Sequence, residues 1–152
     1  MDEKLIREQV RRLNASWQPL NKVYEEYAKS IGLTYAAFTV LCTLLFNDNC
    51  TQKQICQFTY LPKQTVNAII TDFYQNGFVV LEEQPEDRRT KTVKLTEKGK
   101  KYAQDARCHV KHAEYVAMEQ FTQNERETLI SLMQKYADTC LATVRENIKN
   151  EK

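Results

Sequence analysis

Between positions 63 and 71 the chain presents Lys63, Gln64, Thr65, Asn67, Ala68 and Thr71, side chains that are short or hydrogen-bonding, with a single charge among them. Amide and hydroxyl groups of this kind can match the donor and acceptor pattern of base edges in a DNA major groove. A face present only for solvation would more often alternate Glu and Lys. Further along, Asp87-Arg88-Arg89-Thr90-Lys91 is the most basic short stretch of the middle of the chain. An arginine protruding there can enter a minor groove or contact phosphates.

Other chemistries find less support. With two His, three Gly and no Gly-rich motif, no nucleophile and base, carboxylate pair or phosphate-cradling loop can be located. The expectation is a protein that is not an enzyme and carries no cofactor. Cys108 and His112 lie at i, i+4, with His109 between them, a spacing that suits two metal ligands on one helical turn. No second cluster supplies further ligands, so no metal site is assigned. Five cysteines, at 42, 50, 56, 108 and 140, form no Cys-x-x-Cys pair, which argues against a disulfide framework or a zinc ribbon. Cys50, just before a helix N-terminus, is the one best placed for a lowered pKa and redox control. Cys42, Cys56 and Cys140 read as small core residues.

The elements that must position the polar face follow from local patterns. Thr51 with Gln54 is a capping box that opens a helix carrying Ile55, Phe58 and Leu61 inward. Pro62 interrupts it and starts a second helix, in which Val66, Ile69, Ile70 and Phe73 recur at i, i+3, i+4 and i+7 until Gly77 supplies a left-handed stop. The polar side chains lie opposite that stripe. Phe78-Val79-Val80-Leu81 and Thr92-Val93-Lys94-Leu95 then read as two strands around a charged tip. Two short helices, a tight turn and a hairpin describe a winged helix-turn-helix.

The residues Thr51, Thr65-Val66-Asn67, Asn76-Gly77-Phe78-Val79, Asp87-Arg88-Arg89 and Leu95-Thr96-Glu97-Lys98-Gly99 together resemble the MarR family of bacterial transcriptional regulators. The Asp-Arg-Arg wing followed by Leu-Thr-x-x-Gly is the specific part, and the likeness extends over nearly the whole chain. It implies a second helix that reads the major groove, a wing in the minor groove and terminal helices that build a homodimer. It also implies that Lys63, Gln64, Thr65 and Asn67 occupy reading positions, and that Asp87 holds Arg89 in place instead of touching DNA. Thr51, Gln52, Ala68, Thr71, Arg88 and Lys91 complete the set expected at DNA.

The flanks fit that plan. Ile6, Val10, Leu13, Trp17, Leu20, Tyr24, Tyr27 and Ile31 alternate spacings of four and three, a heptad stripe on a long helix that Pro19 is expected to kink or interrupt. A second copy of the chain is the expected cover for the stripe. Trp17, Tyr24 and Tyr27 could also line a pocket for a small aromatic effector, as the family resemblance suggests. Thr34 caps a scaffold helix with Phe38, Leu41, Leu44 and Leu45 inward. Thr96 caps another helix with a small-residue stripe, Ala103, Ala106, Val110, Ala113 and Ala117. Thr122 to Glu125 forms a second capping box ahead of a last helix with Leu129, Met133, Tyr136, Cys140 and Val144 on one side.

The expected architecture is therefore mainly α with a small β-hairpin: a dimerisation helix over 1–33, a winged helix-turn-helix over 34–95 and C-terminal dimerisation helices over 96–152. Its partners are double-stranded DNA, a second copy and a possible small aromatic effector. The 42% hydrophobic and 28% charged fractions are those of a soluble globular chain. Net charge is only +2, and the excess of two basic residues lies between positions 51 and 100. Glu82, Glu83 and Glu86 near the wing oppose phosphate unless they point away. No apolar run approaches the ~20 residues of a membrane helix, so a cytoplasmic protein without membrane contact is expected. The competing readings are a winged-helix protein-interaction module without DNA binding, and a thiol- or metal-responsive form of the same regulator.

Overall fold

The computed structural model describes residues 2–83 and 91–150. Among the described residues, six helices and three short strands follow in the order α1 (Glu3–Ser30), α2 (Tyr35–Phe46), β1 (Cys50–Thr51), α3 (Gln52–Thr59), α4 (Lys63–Gln75), β2 (Val79–Glu83), β3 (Lys91–Leu95), α5 (Glu97–Glu119) and α6 (Gln123–Asn150). The architecture is mainly α with a winged helix-turn-helix, as expected. The chain divides into two compact units, Met1–Cys108 and His109–Lys152.

In the first unit the caps sit where the sequence placed them. Thr34 Oγ1 accepts from Ala37 N, and Thr51 and Gln54 form both halves of a capping box. Helix α4 begins at Lys63, one residue later than expected, with Pro62 as its N-cap. Its end is a Schellman motif: Phe78 N donates to Phe73 O at 2.8 Å and Gly77 N to Tyr74 O at 3.0 Å, with Gly77 at φ +70°. Phe73 and Phe78 meet edge to face at 6.2 Å, the apolar contact that accompanies such a stop.

The core is built from Phe38, Val40, Leu41 and Leu44 of α2, Ile55 of α3, Val66, Ile70 and Phe73 of α4, Val79, Val93 and Leu95 of the sheet, and Ala103 and Ala106 of α5. The expected hairpin pairs antiparallel from Val79 opposite Leu95 to Glu83 opposite Lys91. Strand β1 adds to its other edge, with Cys50 opposite Val93 and Thr51 opposite Thr92, giving the order β1-β3-β2.

Three expectations are corrected. Pro19 does not interrupt α1, which runs unbroken from Glu3 to Ser30. Ala15 and Pro19 are exposed, so water can serve the Ala15 carbonyl that proline leaves without a donor. Phe58 does not face inward: it is 52% exposed, because the buried direction of this two-turn helix runs from Ile55 to the half-buried Thr59. Of the small-residue stripe on α5, Ala103, Ala106 and Val110 are buried, while Ala113 and Ala117 are exposed.

In the second unit, Thr122 N donates to Glu125 Oε2 at 2.8 Å and Glu125 N to Thr122 Oγ1 at 3.4 Å, the expected capping box. Hydrogen bonds donated to its carboxylate, first by the Thr122 backbone amide and second by the Thr122 hydroxyl at 2.8 Å, hold the Glu125 carboxyl below the usual range. No residue of α6 is buried among those described. No single described helix is long and apolar enough to cross a membrane.

Two glycines separate two kinds of cost. A Cβ on Gly77 would meet nothing within 4 Å but would sit on a left-handed backbone, whereas one on Gly99 would lie 1.9 Å from the Phe78 carbonyl oxygen. Gly77→Ala is expected to cost about 1–2 kcal/mol, and Gly99→Ala up to about 3 kcal/mol because backbone must move. Urea unfolding at one fixed protein concentration checks the order, and a larger loss for Gly77→Ala contradicts it.

Candidate nucleic-acid interface

The turn between α3 and α4 is tight because Tyr60 takes a left-handed conformation, φ 56° and ψ 18°. Leu61 N donates back to Thr59 Oγ1 at 3.3 Å. Pro62 offers no side-chain cap, so the first amides of α4 stay open at the positive end of its dipole.

On α4 the sequence splits cleanly. Val66, Ile70 and Phe73 are buried and Ile69 is half-buried, while Lys63, Gln64, Asn67, Ala68 and Thr71 are exposed. At about 100° per residue the exposed five span an arc of roughly 140° opposite the buried stripe. Thr65 lies at the border of that arc and is half-buried. The Thr71 hydroxyl donates to Asn67 O at 2.8 Å, which leaves it acceptor capacity outward.

The other expected DNA-facing positions divide. Thr51 and Gln52 are half-buried, and the Thr51 hydroxyl and amide are both engaged with Gln54. Thr51 therefore holds α3 in place. Lys91 is exposed at the start of β3. Asp87, Arg88 and Arg89 lie outside the described residues, as does Glu86. The acidic strand residues are offset by bases: Glu82 pairs with Lys94 at 3.7 Å, and Glu83 stands opposite Lys91 in the ladder.

Tyr60 escaped the sequence reading. It is 70% exposed at the turn beside the open end of α4, and no local signal marks a tyrosine for a left-handed turn where Gly or Asn is usual.

Of the three candidate effector residues, Trp17 is exposed and Tyr24 half-buried. The Tyr27 hydroxyl donates to Ala106 O at 2.7 Å, and its ring meets Phe38 edge-on at 5.9 Å. Burial, with the nearby Cys108 and Cys42 thiols, pushes the Tyr27 phenol up from its usual pKa. A groove of about 300 Å³ lies between the α1–α2 turn and α4, lined by Leu33, Thr34, Ala37, Ala68, Ile69 and Asp72. None of the three aromatics lines it.

The thiol expectation is corrected. Cys50 is buried, donates to Asn47 O at 3.3 Å, and has its pKa raised, first by burial and then by Asp48. The exposed thiols are Cys108 and Cys140, so Cys140 is not a core residue. Among the described residues no three His, Cys, Asp or Glu side chains come together to hold a metal ion.

The sequence profile of the MarR family matches residues 31–90, which take in α2, α3, α4 and β2. NMB1585, a MarR family regulator from Neisseria meningitidis, superposes on 91% of this chain and 98% of its own, with a TM-score of 0.77 and 27% identity. The chain is similar to MarR family regulators in the sequence of residues 31–90 and in fold over nearly its whole length. SarZ, an HTH-type transcriptional regulator of Staphylococcus epidermidis, is 27% identical over 79 residues, 52% of this chain and about half of that relative, 53%. CouR, a transcriptional repressor solved bound to a 23-mer DNA duplex, has the same fold, with a TM-score of 0.69 at 22% identity over 90% of this chain and 97% of its own. The MarR family comprises regulators and not enzymes.

A raised pKa leaves less thiolate at neutral pH, and burial blocks access. Iodoacetamide at neutral pH should therefore modify Cys108 and Cys140 well before Cys50, as peptide mass spectrometry would show. Cys50 labelling first would contradict its placement.

Proposed function

We propose that this protein is a homodimeric, sequence-specific DNA-binding transcriptional regulator of the repressor type, reading a palindromic operator and responding to a small aromatic effector in the cytoplasm. The observation that carries the DNA reading is the outward arc of α4, where Lys63, Gln64, Asn67, Ala68 and Thr71 are exposed on a helix anchored by its opposite side. In this reading Lys63 and the open amides of α4 take phosphates, while Gln64 and Asn67 take base edges. Thr65 contributes from the border of the arc. Asp87, Arg88, Arg89 and Lys91 serve the wing, the first three on sequence resemblance alone. CouR, similar in fold, supports a duplex as the partner.

Dimerisation is supported by apolar surface. Ile6, Val10, Trp17 and Leu20 on α1 remain 38–39% exposed, and on α6 Ile130, Leu132, Val144 and Ile148 are 48–60% exposed. A second copy would cover such faces and set two α4 helices about 34 Å apart, one DNA turn, which calls for an inverted repeat. The proposed division keeps 34–95 as the reading head, with 1–33 and 96–152 serving dimerisation. An effector seated near Trp17 and Tyr24 would shift the spacing of the two heads and so weaken binding.

Selection of bound fragments from random duplex DNA, followed by footprinting, tests this reading. Two protected half-sites are expected, and a single unrepeated half-site contradicts it. Gln64→Ala or Asn67→Ala should lose about 1–3 kcal/mol of discrimination at one position of each half-site. Arg89→Ala should instead weaken binding at all sequences and lower the salt slope by about one. Equal loss on operator and random DNA for Gln64→Ala would remove Gln64 from base reading.

A further inference from the structure

The Leu-Thr-x-x-Gly run does more than start α5. Thr96 N donates to Phe78 O at 2.9 Å, and the Thr96 hydroxyl donates to Gly77 O at 2.7 Å while accepting from Gly99 N at 3.0 Å. One hydroxyl thus caps the beginning of α5 and ties down the residue that stops α4. Lys98 Nζ donates to Asn76 O, the C-cap carbonyl of α4, at 2.8 Å and lies 4.9 Å from the centre of the Phe78 ring. Tyr102 stacks on the other flank of this junction, its ring 4.4 Å from Phe78 and within 2° of parallel. The close approach of Gly99 to the Phe78 carbonyl leaves no room for a side chain.

These contacts join the last turn of α4 to the first two turns of α5 through groups that cannot slide past one another. The buried stripe of α4, by contrast, is apolar and non-directional, and on its own it tolerates a small tilt. The reading end of α4 lies some ten residues from the junction, roughly 15 Å. A tilt of about 10° there moves Gln64 and Asn67 by roughly 2.5 Å, beyond the range of a hydrogen bond that needs its donor near 3 Å.

We propose that Thr96, with Lys98, Gly99 and Tyr102, forms a clamp that sets the angle of α4 against α5, and that Thr96 is a positioning residue for base reading. This rests on the DNA-binding reading above for its functional consequence, but the mechanical coupling of the two helices does not. Removing the Thr96 hydroxyl leaves Lys63, Gln64 and Asn67 in place chemically and loosens their common orientation. Contacts to phosphate, which tolerate displacement, should survive better than contacts to base edges.

The test uses the full-length protein as wild type, Thr96→Val, Thr96→Ser, Tyr102→Leu and, as a destabilised control away from the clamp, Leu44→Val. Thr96→Val and Tyr102→Leu should lower operator affinity about tenfold, random-duplex affinity less than about twofold, with Thr96→Ser restoring the ratio. Leu44→Val should leave the ratio unchanged. Independently of DNA, hydrogen exchange should quicken in Thr96→Val at α4 amides and at the first turn of α5 together, with α3 unaffected. Unchanged α4 exchange in both clamp variants overturns the coupling, whatever the DNA result. A wild type that selects an operator and a Thr96→Val that selects it equally well overturns the positioning role. A wild type that selects no operator sinks the DNA-binding reading, and the exchange measurement still decides the clamp.

Discussion

Helix α4 has to hide one side and show the other, and the rest of the first unit is arranged to let it do both. Val66, Ile70 and Phe73 are essentially fully buried, at about 1.5–3 kcal/mol of transfer free energy each. They pack against α2, α3 and β2. That burial fixes which side of α4 points outward, and so turns an ordinary polar face into a presented one. Helix α2, apolar on most of its circumference and buried at Phe38, Val40, Leu41 and Leu44, serves as the floor.

What the sequence made legible was local. Caps such as Thr34, Thr51, Thr96 and Thr122 and the stop at Gly77 act within a few residues, so residue type and spacing reveal them. The α4 periodicity was equally plain because four apolar residues sit within two turns. The failures share a different cause. Strand β1 is two residues long and exists only because β3 offers an edge. Phe58 looked buried by composition, yet a helix of eight residues has room for little inward surface and gives it to Ile55. Cys50 looked reactive by its place before a helix, but pairing with Val93 draws it into the core. Each outcome depends on a partner distant in sequence. In the candidate site, the exposed side of α4 was legible except for the half-buried Thr65, whereas the contacts of Thr96 and Gly99 were visible only as a motif, because their partner Phe78 lies about twenty residues back in the chain.

Apolar surface follows a similar logic at a larger scale. The heptad stripe of α1 changes character along its length: Tyr24, Tyr27 and Ile31 find partial cover, while Ile6, Val10, Trp17 and Leu20 do not. The helix starts on the outside and becomes part of the fold only near its end. Its exposed stretch carries the ion pairs Arg7 with Glu3 and Arg11 with Glu8, which are well solvated and contribute little. The apolar stripe of that stretch lowers free energy only where another surface covers it, which is what the proposed second copy would supply.

Electrostatics then decides how the proposed DNA contact would work. A net charge of +2 supplies little long-range attraction. Local fields do more: α4 presents uncapped amides and Lys63 at its positive end, while Glu82 is partnered by Lys94 and Glu83 faces Lys91 across the hairpin. The acidic residues of the strands thus cancel against bases of the same hairpin. With weak steering from the molecule as a whole, the proposed binding of a duplex would draw on the fit of α4 in the groove. If α4 reads DNA as proposed, a protein that relies on fit in this way would be sensitive to the angle of that helix, and the proposed clamp between α4 and α5 would matter more than in a strongly basic protein.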